Sequence, residues 1–257
     1  MASLIRTLLT LSLTATSLFL ASIMINVLGV SQAIYTIQVL NKYITLGISE
    51  TLITLTLGVL IAVTGELLFR ILRTQIAKKA LKKHVESARE YAVKAVEKQR
   101  DKNINPQFYK DVFANLKAFE STSSPALVGT MFDFPMISIF GAVLFFIMPE
   151  ILWITLVYGS IMIMAGILHT IAKGESLELE ASNFTDILKW ILTIAGVTVI
   201  AYASYQAVHG DLNVGLVIGA NILAARMLMN VLKFSSSIDH FKQRGIAEKN
   251  LKRLFNV

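Results

Sequence analysis

Residues 151–168 read ILWITLVYGSIMIMAGIL, a run with no charged side chain and with bulky apolar residues all around a helix. A helix that is apolar on every side has no face to turn toward water, so it belongs in a bilayer or at the centre of a very large protein. The chain has only 257 residues. Further charge-free stretches cover 7–41, 51–65, 134–149, 190–208 and 212–225. That many apolar rods exceed what one soluble core of this size encloses. About 20 apolar residues cross the hydrocarbon of a membrane. The pattern predicts an all-α polytopic membrane protein, a single transmembrane domain over 1–257, with spans at 8–32, 49–69, 128–148, 151–172, 187–208 and 213–235.

Composition points the same way. Hydrophobic residues make up 54% of the chain and charged residues 16%, against about 25% charged in soluble domains. The mean hydropathy is +0.63. Met1–Arg6 ahead of LLTLSLTATSLFLA has the look of a cleaved leader. Apolarity continues far beyond, through IMINVLGVSQAIYTI, so the first run is read as a span.

The basic residues set the expected orientation. Twelve lysines and arginines fall between 73 and 120, and six more from Lys233 onward. The first intervening loop has Lys42, and the MPE and VHGDLN turns have no Lys or Arg. The positive-inside rule then places both termini, the helical insert 73–124 and the basic tail 236–257 in the cytoplasm. The join KGESLELEASNFTD (173–186) belongs on that side too although it is acidic, and acids weigh little in topology. The net charge of +7 is accordingly a topological signal and a contact for the lipid bilayer. It is not a nucleic-acid footprint, since the lysines lack interleaved aromatics for base stacking.

Within the insert, RILRTQIAKKALKKHVESAREYAVKAVEKQRDKN contains no Gly or Pro and is expected to prolong the second span. Asn105 and Pro106 suit the cap and first position of a separate short helix. On that helix Val112, Leu116 and Phe119 share one apolar face. Together with Asp111 and Lys117 they form a candidate coupling element that docks on a partner protein or on a second copy of the chain.

Ionisable residues at membrane depth are costly and each needs a reason. Glu66 and Arg70 stand one helical turn apart and can pair. Arg226 either snorkels to the interface or pairs with Asp133, Glu66 or a backbone carbonyl. For all of these a structural role is favoured over substrate binding. In GTMFDFPMISIF (129–140), Asp133 and Pro135 come too close to Pro149 for the helix to start after them. The third span is expected to begin near Pro125 and bend at Pro135, leaving Asp133 at the interface within reach of water. Gly215 and Gly219, four apart, permit close helix contact.

Catalytic chemistry finds no foothold. The chain has no cysteine, so thiolate metal sites and disulfides are excluded. Its four histidines are scattered, and no Ser/His/Asp set or paired-carboxylate cleft emerges. No catalytic, cofactor-binding or metal-ligating residue is assigned, and an enzyme is not expected.

Several stretches, in order, resemble one family. MFDFPMISIF (131–140) is similar to the signature that opens the third membrane helix of type I secretion ABC exporters, which export peptides and proteins. Residues 22–76 look like that family's first two membrane helices, GDLNVGLVIGANILAARML (210–228) like its last span with Arg226 at the arginine position, and KDVFANLKAF (110–119) like its cytoplasmic segment. The resemblance implies a six-helix membrane domain that works as a dimer or higher assembly with an ATPase, in the bacterial inner membrane. The chain also departs from the pattern. No GxxxxGK[ST] phosphate loop occurs, the join between fourth and fifth spans is short, and Asn41-Lys42, Met136 and Asn230 replace an Asp-Arg pair, a tryptophan and a proline. The expectation is a permease-like subunit without its own ATPase that relies on a separate nucleotide-binding partner. The alternative is a repurposed, non-transporting structural subunit of a larger membrane assembly.

Overall fold

The computed structural model describes residues 12–44, 50–99, 106–172, 181–210 and 213–255. The proposed Asn105 cap, the start of the first span and most of the 173–186 join lie outside them. Among the described residues all regular structure is helical. In order the elements are α1 (Ser12–Gln38), a π turn (Val39–Ile44), α2 (Glu50–Gln99), α3 (Pro106–Thr122), α4 (Pro125–Asp133), α5 (Ile137–Ile147), α6 (Pro149–Ala172), α7 (Ala181–His209) and α8 (Val214–Phe255). Six helical stretches are long and apolar enough to cross a membrane: Thr14–Ile44, Leu52–Lys94, Pro125–Ile147, Pro149–Ala172, Asn183–His209 and Val214–Asn250. The chain is a multi-pass, all-helical membrane protein.

Proline chemistry explains the breaks. Pro135 has no N–H to give and crowds the preceding turn. The backbone tightens there: Met136 N–H donates to Asp133 O at 3.1 Å and Ile137 N–H to Phe134 O at 3.2 Å, three residues back instead of four. The third span is therefore α4 and α5 in series. Pro149 pushes the residue before it out of the helical region, and Met148 sits at φ −151°, ψ 87°. That ends α5, and Pro149 opens α6. At the start of α8, Asn213 Oδ1 accepts from Leu216 N–H at 3.1 Å, a side-chain cap.

The chain divides into two compact units. One comprises Leu20–Leu72 and Thr130–Ser236 and holds most of the apolar spans. Its larger core gathers Val30 and Ala33 of α1, Phe140 and Leu144 of α5, and Ala220 and Leu223 of α8. A second cluster packs Met162 of α6 and Leu188 of α7 against Leu228 and Val231 of α8. Burial grades the spans: 56% of the apolar window of α8 is covered by the chain but only 6% of that of α2. The last span is the hub, and the second lies at the margin.

Contacts along α1 and α8 run in opposite senses. A Cβ on Gly215 would meet the Asn41 amide and, at 2.8 Å, Ile37 O, and one on Gly219 would meet the Ile37 side chain. Further along, Gly29 faces Arg226, and Asn26 bonds Asn230. As the numbers fall on α1 they rise on α8, so the two helices are antiparallel. First and last of six alternating spans must be so.

The other unit comprises Met1–Phe19, Arg73–Gly129 and Ser237–Val257. Here the face of α3 expected to dock on a partner is already covered. Val112 and Leu116 are buried against Ala92, Ala88 and Val96 of α2, and Phe119 against Val85 and Ala88 of α2 and Ala247 of α8. An apolar stripe looks the same in sequence whether its cover comes from another chain or from a distant part of its own. Arg244 of α8 completes the packing, with its guanidinium 5.1 Å from the Phe119 ring centre and Nη1 donating to Ser123 Oγ at 2.9 Å. The opposite face of α3 is open, with Asp111 and Lys117 on the surface and Phe113 59% exposed.

Candidate functional site

Three ionisable residues, Glu66, Arg70 and Arg226, gather where α1, α2 and α8 meet in the larger unit. Glu66 is 8% exposed. One turn further along α2, Arg70 donates from Nε at 3.0 Å and Nη2 at 2.6 Å to Glu66 Oε1. Arg226 reaches the same carboxylate from α8, with Nη1 3.3 Å from Oε2. Its Nη2 donates to Gln32 Oε1 of α1 at 2.8 Å. One carboxylate thus organises two guanidinium groups, and Gln32 orients the second.

Gly29 makes this geometry possible. A Cβ there would stand 2.7 Å from Arg226 Nη1 and 3.5 Å from Phe140 Cζ. The bare backbone leaves the guanidinium its place. The sequence singled out Glu66, Arg70 and Arg226 but missed Gly29 and Gln32. The latent signal was their spacing of three on the first span, which puts both on one helix face.

A second polar chain runs one turn further along the α1–α8 seam, toward the start of α1. Asn230 Nδ2 donates to Asn26 Oδ1 at 3.1 Å. Asn26 Nδ2 donates to Asp133 Oδ1 at 3.3 Å and to Ser22 O at 2.8 Å. Asp133 is 4% exposed, so the expectation that it reaches water is corrected. Asn26 covers the carboxylate, and the broken turn before Pro135 presents it inward. Pro135 is exposed. Beside the break, the Phe134 and Phe234 rings stack with centroids 3.9 Å apart.

Two hollows share Glu66, Arg70 and Arg226 as walls. One, of about 500 Å³, continues past Gln32 and Tyr35 to Val59 and Val63. The other, of about 310 Å³, is bounded also by Asn26, Asn230 and Lys233. Both volumes fall in the range of small-ligand sites. The lining can hold an anion or the polar end of an amphipathic molecule. Among the described residues no group of His, Asp and Glu gathers as a metal site requires. Gly215 and Gly219 lie further along the seam, and Asp111, Val112, Leu116, Lys117 and Phe119 all belong to the other unit.

No protein-family model matches the chain, and no curated protein matches it.

Proposed function

We propose that the chain is the membrane-spanning, permease-like subunit of an exporter of the type I secretion ABC kind. It works as a homodimer or higher assembly in the bacterial inner membrane, with both termini cytoplasmic. The observation that carries this reading is the set of six helices long and apolar enough to cross a membrane, bearing exporter-like stretches in the family's order. The ordered motifs in 22–76, 110–119, 131–140 and 210–228 support the family assignment. No phosphate loop of the form GxxxxGK[ST] occurs in these 257 residues, so on this reading ATP hydrolysis lies outside them, in a nucleotide-binding partner. With Val112, Leu116 and Phe119 covered by the chain itself, such a partner would meet the open face of α3 at Phe113, Asp111 and Lys117.

A second reading is a structural subunit of a larger membrane assembly that no longer transports. The short join at 173–186 favours it, because it leaves no room for a second cytoplasmic coupling helix.

Purification from native membranes in mild detergent, with ATPase assay and mass spectrometry of the bound proteins, separates the two. The permease reading expects a stoichiometric nucleotide-binding protein and ATP hydrolysis that falls when Phe113 is replaced by Ala. A large assembly with no nucleotide-binding component and no hydrolysis would contradict it and leave the structural role.

A further inference from the structure

We propose that the hollow bounded by Glu66, Arg70 and Arg226 binds the phosphate of an anionic phospholipid, with the acyl chains lying along α2. Three observations converge on this. The charged residues lining the two neighbouring hollows are Arg70, Arg226 and Glu66 in both and Lys233 in the smaller. Asp133 stands one hydrogen bond further back, behind Asn26. The lining thus carries net positive charge, where an anion is held more strongly than in water. Moreover, the Glu66 carboxylate already engages both guanidinium groups. Two planar donors fixed around one oxyanion are oriented to share another, since guanidinium geometry suits phosphate as well as carboxylate.

The third observation concerns shape. From the charged end, the larger hollow runs past Tyr35 to Val59 and Val63. Val59, Val63 and Leu67 of α2 line it, and nearer the start of α2 Ile53 and Leu57 are exposed. A free inorganic anion makes no use of that apolar wall, whereas a phospholipid fills both ends. The marginal position of α2, with 6% of its apolar window covered, leaves the wall open to lipid. Such a lipid would bind whether the chain transports or serves as a scaffold.

The test uses the full chain in neutral detergent micelles doped with phosphatidylglycerol or phosphatidylcholine, with bound lipids counted by native mass spectrometry and thermal unfolding followed in parallel. Phosphatidylglycerol is expected to bind at least about tenfold more tightly than phosphatidylcholine and to raise the unfolding temperature. Replacing a lining base should weaken binding by about fivefold, as in Lys233→Gln, and the pair Arg70→Gln with Arg226→Gln by about thirtyfold. Arg226→Lys, which keeps the charge, should retain most of the preference, so the readout survives if the double variant does not fold. Lys189→Gln, on the exposed part of α7, should change nothing.

Equal affinity for the two lipids would overturn the proposal. So would unchanged phosphatidylglycerol binding in Lys233→Gln and the double variant, or an equal loss in Lys189→Gln. Inorganic phosphate at millimolar concentration is not expected to compete. If it displaced the lipid or gave the same rise in unfolding temperature, the site would belong to a free anion and the lipid assignment would fall.

Discussion

Arg226 and Glu66, 160 positions apart in the chain, face each other with Nη1 3.3 Å from Oε2. The contact ties the last span to the second, which has little other packing. Removing Arg226 by substitution with Ala should cost about 2 kcal/mol, because Glu66 keeps Arg70 as a partner. Glu66→Ala should cost more, about 3 kcal/mol, since it leaves two guanidinium groups without their shared acceptor. Thermal unfolding in detergent, followed by fluorescence of Trp153 and Trp190, measures both. Equal or negligible losses would argue against a shared carboxylate.

Close approach of α1 and α8 makes a sharper prediction at glycine. Gly215→Ala drives a methyl group against a backbone oxygen, Ile37 O at 2.8 Å, which cannot swing aside. It should destabilise by about 1–3 kcal/mol, as overpacking does. A methyl group on Gly58 of α2 would meet nothing within 4 Å. Gly58→Ala should therefore be neutral or slightly stabilising, by up to about 1 kcal/mol. The same unfolding assay compares them.

Along the seam, Asn26 serves both Asn230 and Asp133. Single replacements Asn26→Ala and Asp133→Ala should each destabilise, and the double should cost less than their sum by about 0.5–3 kcal/mol. Strict additivity would mean that the two side chains do not act as one network.

The two faces of α3 should separate stability from association. Phe119 is 7% exposed and Phe113 59% exposed. Phe119→Ala should lose about 3–5 kcal/mol, whereas Phe113→Ala should stay within about 0.5 kcal/mol. A loss of ATPase coupling confined to Phe113→Ala would mark the open face as the one that meets a partner.

Much of this architecture was readable from residues because its causes are local. Charge-free runs long enough for a bilayer give the spans, and Pro135 and Pro149 give the breaks at Asp133–Ile137 and at Met148. The Glu66–Arg70 pair follows from one helical turn. The partner of Arg226 did not follow. Sequence left Asp133, Glu66 and a carbonyl open, and only the antiparallel packing of α1 and α8, with Gly29 making room, selects Glu66 and Gln32. The burial of Asp133 was hidden for a related reason. A carboxylate beside a proline at a helix bend looks like an interfacial residue until Asn26 of another span covers it. The apolar face of α3 was visible as a face, but its cover, Ala88 and Ala92 of α2 with Ala247 of α8, depends on chain segments far away in sequence.

Six alternating crossings place residues 42 and 209 on one side of the membrane and residues 117 and 249 on the other. The chain has no cysteine, so thiols introduced singly at the exposed positions Lys42, Lys117, His209 and Lys249 can be read without background. Labelling with a membrane-impermeant maleimide in right-side-out and inverted vesicles should modify Lys42→Cys and His209→Cys from the outer face only, and Lys117→Cys and Lys249→Cys from the cytoplasmic face only. Labelling of Lys42→Cys and Lys117→Cys from the same face would contradict the six-span arrangement.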